Sequence, residues 1–121
     1  MIDRLRRLPG FDALDDDALE TILARSPLRS YAPGQIVLAA GTVAETLLGA
    51  IDGTLIGPEG RAAPLVFDAP GLLFGLAAEG DYVAGPEGLK AIAVSKPHVF
   101  TIAREFPEFI VSLIHSIEPR R

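Results

Sequence analysis

Apolar residues follow two rhythms along the chain, and the change of rhythm divides it into three parts. In the first part, Leu5 and Leu8 stand one helical turn apart ahead of Pro9-Gly10, which predicts a short helix within residues 2–10. A stronger helix follows. Asp15, Asp16 and Asp17 offer a capping residue and negative charge where the helix macrodipole favours it. Ala18, Leu19, Ile22 and Leu23 then form a one-sided stripe, Arg25 sits near its C-terminal end, and Pro27 stops it.

From Leu28 to Ala103 the helical spacing disappears. Eleven glycines, from Gly34 to Gly88, separate short apolar segments. These predict strands at 28–31, 35–39, 46–51, 54–56, 62–67, 72–74, 89–94 and 99–103. Ala32-Pro33-Gly34 and Gly57-Pro58-Glu59-Gly60 supply turns, because proline presets φ and glycine accepts positive φ. Pro64 removes a ladder donor, which places its strand at an edge. The third part returns to helical spacing, with Phe106, Phe109, Ile110, Leu113, Ile114 and Ile117 on one stripe and Pro107 in the first turn. The predicted fold is mainly β: an eight-stranded β-roll of jelly-roll type, with N-terminal helices and one C-terminal helix. The parts are N-terminal helices at 2–27, a roll at 28–103 and a final helix at 106–117, all in one domain spanning 1–121.

The size agrees with one domain, since 121 residues bury about two-thirds of the unfolded surface. Hydrophobic residues at 49% and charged residues at 22% describe an ordinary soluble protein. No apolar run reaches the ~18 residues of a membrane span. The N-terminus has basic residues but no apolar region behind them, so the expected location is cytoplasmic. A net charge of −5 sets the field against phosphate backbones, and direct DNA binding is not expected. Arginines cluster at the ends (Arg4, Arg6 and Arg7, then Arg120 and Arg121), as solvated termini often do.

Catalytic and metal chemistry find no foothold. The absence of cysteine removes disulfides, thiolate catalysis and sulfur metal sites. His98 and His115 are the only histidines, too few for the three or four convergent ligands that a metal needs. No nucleophile elbow, Walker lysine loop or dinucleotide fingerprint appears, so neither an enzyme nor a resident cofactor is expected.

The β pattern breaks at one place. Thirteen residues, Leu76 to Gly88, separate two apolar runs, and connections of that length usually bind something or are disordered. The order of motifs around this break resembles the cyclic-nucleotide-binding domain, the effector domain of the catabolite activator family. Phe11-Asp12-Ala13-Leu14 is similar to that family's entrance. So is Tyr31-Ala32-Pro33-Gly34-Gln35-Ile36-Val37, with Gly41 six residues after Gln35. Ala44-Glu45-Thr46-Leu47, leading to Ile51-Asp52-Gly53-Thr54-Leu55, resembles its paired strands and their glycine turn. Pro70-Gly71-Leu72-Leu73-Phe74-Gly75 resembles the entry to its phosphate-binding cassette. The likeness covers about residues 8–117 and rests on the order and spacing of these motifs.

The resemblance implies a cassette that holds a cyclic phosphate with backbone N–H groups and an arginine, while a glutamate takes the ribose hydroxyl. Both side chains differ here. Leu76 stands where the glutamate is expected, with Glu79 three positions late. Leu89 and Lys90 stand where the arginine is expected, and lysine lacks the planar fork. Charged hydrogen bonds contribute about 1.5–3 kcal/mol each, so losing both weakens a cyclic nucleotide by roughly two to four orders of magnitude. The candidate ligand-binding residues are Phe74, Gly75, Leu76, Ala77, Ala78, Leu89, Lys90 and Ala91, for cAMP, cGMP or another small anion. Leu76, Tyr82 or Leu89 turned inward would argue against a nucleotide.

The interval from Ile102 to Pro107 is too short for the extra helix that the family often places before its last one. Nothing after Ile117 supplies a helix-turn-helix, so a stand-alone regulatory module is expected. The alternative is a protein–protein interaction or dimerisation module without a small-molecule ligand. Its candidate interface is Phe106, Phe109, Ile110, Leu113, Ile114 and Ile117, for a second copy or a partner protein. A helix that only covers the roll would show the same stripe.

Overall fold

The computed structural model describes residues 2–8, 10–63, 66–67 and 69–117, with the side chains of 67, 69–70 and 114–117 left aside. Two helices open the chain, α1 (Ile2–Arg6) and α2 (Asp16–Arg25), joined through a 3-10 turn at Phe11–Ala13. The predicted cap is in place: Asp15 Oδ1 accepts from the Ala18 N–H at 2.8 Å. Strands β1 (Leu28–Tyr31), β2 (Ile36–Leu38), β3 (Thr46–Ile56) and β4 (Val66–Phe67) follow. Helix α3 (Ala69–Phe74) then precedes β5 (Tyr82–Ser95), and α4 (Lys96–Glu105) and α5 (Pro107–Ile117) close the fold.

All pairing is antiparallel, in the order β1-β5-β3-β4, with β2 also on β5. The 14-residue β5 is the hub. On one side it keeps β3, from Thr46↔Ser95 to Ile56↔Val83. On the other side it changes partner: its start pairs with β2 at Ile36↔Val83, and its second half with β1 from Tyr31↔Leu89 to Leu28↔Ile92. Gly88 marks the change. Its φ of +78° suits glycine, and a Cβ there would stand 2.8 Å from the Tyr31 carbonyl oxygen. Gly53 on β3 meets the same corner, at φ +83°, where a Cβ would lie 2.2 Å from the Gly88 oxygen.

Several expected elements are different in the structure. Segments 46–51 and 54–56 are one strand, because Asp52-Gly53 forms an irregularity in the β3–β5 ladder and not a turn. Residues 82–88, expected in a loop, lie within β5. The 62–67 segment retains Val66–Phe67 and an isolated Ala62↔Ile56 bridge, while Pro64 and its expected edge position lie outside the described residues. Segment 72–74 is helical, in α3. Segment 99–103 is also helical. Ser95 Oγ accepts the His98 N–H at 3.4 Å, Pro97 occupies the first turn, and Val99 and Ile102 are buried three residues apart. α4 therefore supplies the helix before the final one, built from residues upstream of the interval judged too short. Five strands, not eight, form among the described residues.

Alternation on β3 and β5 serves two cores. Leu47, Ile92 and Val94 belong to the larger one, with Leu5, Phe11, Leu19 and Phe109. Phe11 meets Phe109 edge-on, with ring centroids 5.3 Å apart. Leu48, Ala91 and Ala93 point to the other face and form a smaller cluster with Leu55, Ala84 and Leu89.

Candidate functional site

The break in the β pattern is a short helix and a strapped loop. Gly75, at φ +67°, turns the chain out of α3, and the Leu76 N–H donates to the Gly71 carbonyl at 3.0 Å. The following residues lie along segment 40–43. The Ala78 N–H donates to the Thr42 carbonyl and the Gly41 N–H to the Ala78 carbonyl, both at 2.8 Å. Val43 and Ala77 form an antiparallel bridge, and Asp81 Oδ1 accepts the Ala40 N–H at 2.8 Å. The N–H groups of Leu76 and Ala78 are thus committed within the chain.

An open cleft of about 760 Å³ lies between this loop and the turn that leaves β3. Leu76, Ala77, Ala78, Glu79 and Tyr82 line one wall; Gly57, Pro58, Glu59, Arg61, Ala62 and Ala63 line the other. The second wall is a tight turn, with the Gly60 N–H donating to the Gly57 carbonyl and the Gly57 N–H to the Arg61 carbonyl. Gly57 lies beside the Tyr82 ring, where a Cβ would stand in ordinary contact, 3.4 Å from Tyr82 Cε2.

The structure distributes the sequence-derived ligand residues among different places. Leu76, Ala77 and Ala78 line the cleft. Phe74 and Gly75 are exposed beside it. Leu89 and Ala91 are buried in the smaller core cluster, where half-buried Tyr82 packs against them from the edge. Of the residues named as able to close the roll, Leu89 is fully inward, Tyr82 is partly so and Leu76 is 55% exposed. Lys90 faces a separate groove of about 460 Å³, with Ser30, Asp52 and Glu87. Asp52 there already accepts a 2.8 Å ion pair from Arg4. Arg61 and Glu59 had no place in the sequence-derived set, because Gly57–Gly60 carries only a turn signal. Nothing local links that turn to a loop some twenty residues later.

A second groove, about 340 Å³, runs between α2 and α4. Asp15, Asp17 and Glu105 line it together with Arg25, Thr101 and His98. Burial pushes the His98 pKa below its ordinary value, and the neighbouring Arg25 charge adds to the effect. Among the described residues no group of acidic or histidine side chains is placed to hold a metal ion, and no helix is long and apolar enough to cross a membrane.

On α5, Phe109 and Leu113 are fully buried in the larger core of this chain. Phe106 and Ile110 are half-buried, and Val111 is 52% exposed. The side chains of Ile114 and Ile117, also named for an interface, lie outside the described residues, as does that of His115.

The sequence matches no protein-family model, and no curated protein matches it. Solved structures do match. The catabolite activator protein of Thermus thermophilus is similar at TM-score 0.70 and 19% identity, over 88% of this chain and 55% of that one. The sensor domain of the transcriptional regulator DNR from Pseudomonas aeruginosa gives 0.71 and 17%, over 93% and 83%. A mutant regulatory subunit of a cAMP-independent protein kinase A from Trypanosoma brucei, bound to cAMP, gives 0.76 and 18%, over 98% and 46%. The chain thus spans about half the length of two of these three proteins. The likeness establishes the fold, that of cyclic-nucleotide-binding domains: an antiparallel sheet with helices at both ends.

Proposed function

We propose that this chain is a non-catalytic regulatory module on the cyclic-nucleotide-binding fold, in which cyclic nucleotide binding is weak or lost. The carrying observation is the fate of the two positions where the resemblance expects charge. Leu76 stands where the resemblance expects the glutamate. Of the residues read as standing near the expected arginine, which lie within β5 rather than before it, Leu89 is 5% exposed in the roll's own packing and Lys90 lines another groove. The loop's N–H groups at Leu76 and Ala78 are also engaged within the chain, which leaves fewer donors for a phosphate. A regulatory role without the nucleotide fits a fold that also serves a cAMP-independent kinase subunit. The expected setting is cytoplasmic. A thermal-shift titration tests the reading: a ligand at 100 times its Kd adds about 2.7 kcal/mol of stability. Micromolar cAMP and cGMP are expected to give no shift and millimolar amounts at most a small one, and a saturable shift at micromolar concentration overturns the reading.

The second reading is an association module acting through α5. Val111 and Phe100 are large apolar side chains left 52% and 41% exposed on α5 and α4. Light scattering at high concentration tests it: a dimer that Val111→Asp dissociates supports the surface, and a monomer removes it.

A further inference from the structure

We propose that the cleft between the 57–63 turn and the 76–82 segment binds a small zwitterion, a molecule with one carboxylate and one ammonium on a short apolar body. The inference deepens the preceding reading and rests on it, since it names what replaces the nucleotide. At about 760 Å³ the cleft falls within the few-hundred to one-thousand Å³ range of small-molecule sites. Its lining carries charges of both signs, Arg61 against Glu59 and Glu79. Among the described residues none of the three forms an ion pair within the chain.

This charge pattern selects against a simple anion. Among the described lining residues a phosphate meets one guanidinium and two carboxylates, and the N–H groups of Leu76 and Ala78 are already used. A simple cation meets Arg61. A molecule bearing both groups can pair its carboxylate with the guanidinium, whose fork suits a carboxylate, and its ammonium with Glu79 on the opposite wall. The body of the ligand finds small residues below it. Ala62, Ala63, Ala77 and Ala78 carry no atom beyond Cβ, while Leu76 and the Tyr82 ring supply apolar walls. Arg61 and Glu79 come from opposite walls, so the two charged ends of one ligand would tie the turn to the loop.

The test uses the whole chain and three probes that share one branched body: L-leucine, isocaproate (without the ammonium) and isoamylamine (without the carboxylate). In amide NMR titrations, leucine is expected to shift residues on both walls and to bind at least about tenfold more tightly than either single-charge analogue. Arg61→Gln is expected to remove the response to leucine, and Glu79→Gln to weaken leucine about tenfold without weakening isocaproate. Both positions are exposed, so the variants are expected to fold, and dispersed spectra verify that. Equal binding of the three probes, no response to leucine at tens of millimolar, or full binding by Arg61→Gln overturns the proposal. A cAMP arm separates the two readings. Tight cAMP binding overturns both, whereas silence with cAMP and leucine alike overturns the zwitterion alone.

Discussion

The two faces of the β3–β5 ladder are made from the same strands and packed in opposite styles. Toward the helices, Leu47, Ile92 and Val94 interlock with Phe11, Leu19 and Phe109 from three separate elements. Toward the roll interior the matching positions are Leu48, Ala91 and Ala93, and among the described residues their cluster has six buried members. Apolar area and dispersion contacts therefore concentrate on the helical face. Among the described residues the inner face is thinner, and it borders the cleft through Ala63 and Tyr82. The contrast teaches that, among the described residues, the helical face carries most of the packing that holds the fold, while the roll side borders the open cleft.

The largest expected effect lies on the helical face. Phe109→Ala removes a fully buried ring and its contact with Phe11, and should cost about 3–5 kcal/mol in urea unfolding. Leu89→Ala on the inner face should cost less, near 2 kcal/mol, because its cluster is smaller. A greater loss at Leu89 than at Phe109 would break the comparison. The corner glycines come next. Gly53→Ala forces a Cβ to 2.2 Å from the Gly88 oxygen at a left-handed φ, so a loss of about 1–3 kcal/mol is expected, seen as a lowered Tm.

A smaller effect is expected in the α2–α4 groove. The folded-state pKa of His98 lies below its ordinary 6.5, so the unfolded chain takes up this proton first as pH falls. Stability from the neutral imidazole is complete above about 6.5, declines as pH falls through that value, and stops declining below the folded pKa. His98→Gln should flatten that part of the stability–pH curve, and an unchanged curve would remove His98 as its source. The smallest effect sharpens the comparison on the roll side. The double variant Leu76→Glu, Lys90→Arg restores the expected charges in name only, because residue 90 faces the Asp52 groove and not the cleft. Calorimetry should show cAMP affinity changed by less than about tenfold.

What the sequence determined by itself was local. Asp15 as a cap, the α2 stripe, β1 at 28–31 and the helix after Pro107 each depend on residues within a turn or two of one another. The order of motifs also carried the fold type, because glycines at fixed places mark where strands must bend. Two short segments were misread because alternation and helical spacing coincide over a few residues. Val99-Phe100-Thr101-Ile102-Ala103 has the β-branched and aromatic residues of a strand but also Val99 and Ile102 at helical spacing, and the Ser95 cap with Pro97 decides for the helix. The site was less legible. Leu76, Ala77 and Ala78, which line the cleft, stand in a long break in β pattern that is visible in one dimension. Arg61 and Glu59 line it too, but a turn signal says nothing about which loop lies opposite. Tertiary structure alone decided that β5 exchanges β2 for β1 at Gly88, that Leu89 and Lys90 lie away from the cleft, and that opposite charges share its rim. Each of these depends on pairing between distant segments, where the energy comes from shared burial and not from any local preference of the chain.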